Sequence, residues 1–172
     1  MRSKVLIISI FFMLILSQSS FALGQRYTGT ITAVVYVKGL FQLSMNSDVI
    51  DFAKAAPGKT ADSDHEVAVI SRSTGTDNWY IQVSSDRPLT SGANVIPNKY
   101  FTWGGDTKGR GVWHGGKYAP LNSESKVAYR SSEDEINNLP DGTQNDFSFR
   151  LFIPEDQPGG EYTCTVMFTM TE

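Results

Sequence analysis

The sequence predicts an all-β protein, an antiparallel two-sheet sandwich. Three observations predict it. Nearly every ordered-looking segment after Tyr27 alternates apolar and polar residues with period two, as half-buried strands do. Clusters of Gly, Pro, Asn and Asp interrupt these segments at regular intervals. No stretch carries an apolar stripe at helical spacing over three turns.

The elements follow in chain order. Arg2 and Lys4 precede an apolar run over residues 5–16, and Ser20 and Ala22 supply small residues at −3 and −1 of a cleavage site. This three-part pattern predicts a secretory signal peptide over residues 1–22. The run is shorter than the ~20 apolar residues a membrane span needs. The mature chain, residues 23–172, is then one domain with no transmembrane segment. In "TITAVVYV" (30–37), Ile31, Ala33, Val35 and Val37 share a face, which predicts the first strand. Further strands are expected over 40–45, 65–73, 78–85, 98–104, 126–131 and 145–154, with the last over 162–170. Turn signals fall at 56–60, 73–78, 89–94, 139–145 and 154–160, where Gly and Asn/Asp accept positive φ and Pro presets the first turn residue. One helical turn is expected within 131–139, with Ser132 as cap and Glu135 three residues on, the spacing of a capping box.

Charge and composition exclude several activities. The formal net charge is −3, and loss of Arg2 and Lys4 makes the mature chain more acidic. No Lys/Arg cluster offsets this, so nucleic acid is not an expected partner. The two histidines, His65 and His114, and the single cysteine show no zinc-ligand spacing. No Gly-x-Ser-x-Gly elbow is present, and no pair of carboxylates is brought together by spacing. "DSD" (62–64) and "DGTQND" (141–146) cluster oxygens without the twelve-residue calcium-loop pattern, and read as solvated turns. The chain is therefore expected to be no enzyme and to carry no cofactor or metal. With one cysteine, an intramolecular disulfide is impossible. Cys164 alternates with Tyr162 and Val166 on the apolar face of the final strand, which places it in the core as a small hydrophobe with a raised pKa.

The most unusual stretch is "KYFTWGGDTKGRGVWHGGKYAP" (99–120), read as a long hairpin in which Tyr100, Phe101, Trp103, Trp113 and Tyr118 lie among glycines. Tyr100, Trp103, Trp113, His114 and Tyr118 are the candidate ligand-binding residues, because exposed rings with polar neighbours stack on sugars. The competing reading turns the tryptophans inward to plug one end of the sandwich, and burial of large aromatics favours it for Trp103. For Trp113 both readings stay open. Trp79 heads an alternating strand and is expected in the core.

Asp51-Phe52 followed by Pro57-Gly58, and Pro158-Gly159-Gly160-Glu161-Tyr162 opening an alternating last strand, carry a resemblance. The pattern resembles small exported bacterial domains of the pilin-like and cell-surface type. It covers most of the mature chain and implies an Ig-like sandwich with a surface or periplasmic role. The sequence departs from that pattern at Ala53, where such domains usually have Gly, and at Thr171-Glu172, which lacks a penultimate aromatic. Two functions follow as expectations. One is a structural or adhesive module acting through other surface or periplasmic proteins, copies of itself included; its alternating N-terminal segment either pairs within its own chain, as sequential strands usually do, or is donated to a neighbour's sheet edge. The other is a carbohydrate-binding module using the 99–120 aromatics.

Overall fold

A computed structural model describes residues 39–53 and 55–172. The signal peptide expected over residues 1–22 and the strand expected over 30–37 both lie outside the described residues. Within them, alternation becomes sandwich. Strand β1 is Phe41–Met45, β2 Thr60–Asp62, β3 Val67–Ser73, β4 Tyr80–Ser85, β5 Leu89–Ser91 and β6 Asn94–Ile96. Then come β7 Phe101–Thr107, β8 Val112–Trp113, β9 Ala119–Pro120, β10 Lys126–Arg130, β11 Thr143–Phe152 and β12 Val166–Thr171. One sheet runs β1-β3-β11-β7-β9, with β2 paired to the second half of β11. The other runs β12-β4-β10-β8, and β5 and β6 form a separate hairpin. The strand pairings are antiparallel. The chain changes sheets between β3 and β4 and at every step from β7 to β12, within an Ig-like antiparallel sandwich.

The period-two pattern buries alternate side chains of β3 and β11 between the sheets. Val67 and Val69 face inward beside Phe147 and Phe149, while Trp79, Ile81 and Val83 oppose them from the other sheet, all essentially inaccessible to solvent. In β10 the register shifts between Val127 and Tyr129, and the bulge turns two successive residues, Ala128 and Tyr129, into the core. The interior is not uniform along the strands. In β11, Thr143 and Asn145 precede Phe147, Phe149 and Leu151, while in β3 Val67 and Val69 precede Ser71 and Ser73. Because β3 and β11 are antiparallel, with Thr143 opposite Ser71 and Phe147 opposite Val67, the polar residues meet at one end and the apolar ones at the other.

Four local expectations need correction. The strand expected from 98 begins at Phe101, because Asn98–Tyr100 after Pro97 form a 3₁₀ turn. The turn read over 89–94 is itself the β5–β6 hairpin, reversing at Gly92 with φ of 59°. Segment 99–120 is no simple hairpin: β7 pairs with β9, but the intervening β8 joins β10 in the opposite sheet. The segment thus laces the two sheets together along one side. Finally, the last strand starts at Val166 rather than 162. Thr163 exchanges two backbone hydrogen bonds with Thr90 of β5, and Asp86 holds Thr165, so residues 162–165 follow the hairpin instead of β4. The expected turn near 131–139 is present as the 3₁₀ segment Glu133–Glu135, and the Glu135 carboxylate accepts from the N–H of Ser132.

Candidate functional site

The two long sides of the sandwich differ. On the laced side, Trp103 exposes 1% of its surface. Its ring meets Trp113 edge-on at 6.1 Å, and both pack on Phe147, at 5.9 and 5.2 Å. Gly115 lies against both indoles; a Cβ there would fall 2.6 Å from Trp113 and 2.7 Å from Trp103, so only glycine lets the loop close. Trp113 is half-buried and His114 exposed. Tyr118, at φ of 63°, lies under the Arg150 guanidinium at 3.8 Å, and Arg150 is paired in turn with Asp62. Tyr100 packs on Phe152 at 5.3 Å with Lys99 above its ring. The five candidate ligand residues therefore separate: Trp103 and Trp113 turn to the interior, while Tyr100 and Tyr118 sit with the outward residues of β11. They do not form one flat platform.

On the opposite side, among the described residues, no strand pairs across from one sheet to the other. Strands β1 and β12 lie against each other across a seam, and among the described residues β1 pairs only with β3 and β12 only with β4. The inward side chains of both edges, Phe41 and Leu43 from β1 and Val166, Phe168 and Met170 from β12, rest on the core yet stay only half-buried. A cleft of about 840 Å³ continues this seam. Its floor is the apolar end of the interior, including Ile96, Phe101, Leu151 and Ile153, and its walls are residues 47–53 and 157–168. Ile50 and Phe52 dip into it, Phe52 meeting Phe101 edge-on at 5.7 Å. Asp48, Asp51 and Glu161 also line it and give it an acidic character. The alternation in Val49-Ile50-Asp51-Phe52 is the sequence signal that could have placed this wall; the 99–120 aromatics drew attention to the other side.

Cys164 lies in this wall, half-buried and packed on the core, not sealed within it as expected for a residue of the final strand. Burial, reinforced by Asp86, pushes its thiol pKa up to about 11. At pH 8 only about one thiol in a thousand is then ionised. Native labelling by an alkylating reagent should accordingly run far slower than for the denatured chain. A native rate equal to the denatured one would contradict this placement.

The other buried charged feature lies at the polar end. Glu135, 6% exposed, accepts hydrogen bonds from Tyr129 of one sheet and Thr143 of the other. It also accepts from the Ser132 N–H and hydroxyl and from the Arg110 N–H. Its spacing from Ser132 announced the cap; the tie between sheets was invisible. Of the aspartates in the two oxygen clusters, Asp62 pairs with Arg150, Asp64 with His65 and Asp146 with Lys108. Among the described residues no three His, Cys, Asp or Glu side chains converge, and no helix is long and apolar enough to cross a membrane. No family model matches the chain, and no curated protein matches it in sequence.

Proposed function

We propose that this is an exported, non-enzymatic structural or adhesive module of pilin-like type, which associates with other proteins by taking an extended segment along its open side. The observation that carries this reading is the half-burial of inward residues on both β1 and β12, beside a cleft floored by the core. A strand edge with free backbone groups next to an apolar groove is what strand addition requires: the backbone ladder supplies affinity, and alternate side chains fill the groove.

The occupant that fits is a second copy's residues 30–37. Their alternating Ile31, Ala33, Val35 and Val37 supply one apolar face, and as a strand they would run roughly 26 Å, enough to follow the six residues of β12. Arg26 and Lys38 flank that segment and suit the carboxylates of the cleft.

The test compares the exported chain with an Ile31→Asp/Val35→Asp variant by light scattering after size exclusion, together with Cys164 labelling. The wild type should form larger species with slow labelling, and the variant should be monomeric with faster labelling. Identical size and identical labelling would sink the reading. So would a wild-type monomer whose labelling accelerates only in the variant, because the segment would then fill its own groove.

A further inference from the structure

We propose that one ordered water molecule is bound inside the sandwich between Ser71 of β3 and Asn145 of β11, a site distinct from the groove. Both residues are fully buried, yet the Ser71 hydroxyl and both polar atoms of the Asn145 amide lack a hydrogen-bond partner among the protein groups. A buried amide without partners is a costly defect and a rare one, since polar groups in cores are almost always satisfied by protein or by water.

The nearest protein groups bond elsewhere. Thr143 donates to Glu135, and Asn138 donates to Thr143 and to the Ser71 carbonyl. On the other flank, Asn145 stands opposite Thr107, whose hydroxyl accepts from the Gly109 N–H. Geometry sets the size of the ligand. Thr143 is opposite Ser71 and Asn145 opposite Val69, so Ser71 and Asn145 are diagonal neighbours on the inward face. Neither side chain bonds to the other in the structure, and one water making two hydrogen bonds of ~2.9 Å joins two short polar side chains placed as such diagonal neighbours. The amide oxygen, the amide NH₂ and the serine hydroxyl supply three partners, the usual number for a buried water. The bridge extends the polar network of Glu135, Thr143 and Asn138 to Ser71 and Asn145, at the border between the polar end of the interior and Phe147.

The test uses the intact, uniformly ¹⁵N-labelled chain. Water cross-relaxation spectra should show a cross-peak at the Asn145 side-chain NH₂ with the sign of a long-lived bound water, weakened in Ser71→Ala. A crystal structure should place a density peak within hydrogen-bonding distance of both the Asn145 amide and the Ser71 hydroxyl. An Asn145 amide bonded directly to Ser71, or an NH₂ without a water cross-peak in the wild-type protein, overturns the proposal. Both measurements on the wild type stand even if the variant fails to fold.

Discussion

Trp103→Ala is expected to lower the unfolding free energy by about 3–5 kcal/mol, as large-to-small changes in a packed core do. The residue has the contacts to justify that figure. It is 1% exposed, stands opposite Phe149 in the β7–β11 ladder, and packs on Trp113 and Phe147. Removing the indole opens a void that cannot simply collapse, because Gly115 and its loop rest on the same ring. For a domain of this size the melting temperature should fall by about 6–20 °C. The measurement is a melting curve paired with a glycan array. Unchanged melting together with lost glycan binding would refute the core role and return this tryptophan to the ligand platform. Trp113→Ala should cost less, since Trp113 is only half-buried.

Glu135→Ala should be comparably severe. It would strand the Tyr129 hydroxyl, the Thr143 hydroxyl, two groups of Ser132 and the Arg110 N–H at once. A buried polar group left without its partner costs about 1–3 kcal/mol, and some of these donors can turn to water, so a loss of about 3 kcal/mol or more is expected. The pH dependence is the sharper test. Burial alone would raise the Glu135 pKa; the hydrogen bonds from Tyr129, Ser132 and Arg110 outweigh it and hold the carboxyl below its ordinary value. The unfolded glutamate titrates near ~4.3, so in mild acid the unfolded chain binds more protons than the folded one at this position. The stabilisation is complete above that pH and is lost as pH falls through the folded pKa. Glu135→Gln has no proton to take up. Denaturant unfolding from pH 7 to pH 3 should therefore show the wild type's advantage over Glu135→Gln shrinking in acid. An advantage that stayed constant across that range would show that the carboxylate charge contributes nothing.

The difference between these residues shows what was legible. Trp79 led an alternating run and is fully buried, because period two in a strand is a statement about faces and one face of a sandwich is core. Glu135 announced itself only as the third residue of a capping box, a local pattern. That the same carboxylate also binds Tyr129 and Thr143, from opposite sheets, depends on a packing that no local pattern encodes. The aromatic stretch 99–120 shows the same limit. Its composition marked it as unusual, but whether its rings turn inward depends on β8 crossing to the second sheet while β9 returns to the first.

By itself, the sequence determined the all-β class, the position of most strands, the main turns and the identity of the core faces. These follow from alternation and from the backbone preferences of Gly, Pro, Asn and Asp, which act over a few residues. Tertiary structure alone decided that β12 begins at Val166, since Thr163 is captured by Thr90 from a distant hairpin. It alone decided that residues 101–120 lace the sheets together along one side while, among the described residues, β1 and β12 end their sheets on the other without pairing to each other. An edge is defined by which strand lies beside it. That neighbour comes from the far end of the chain, and no alternation within a strand can name it.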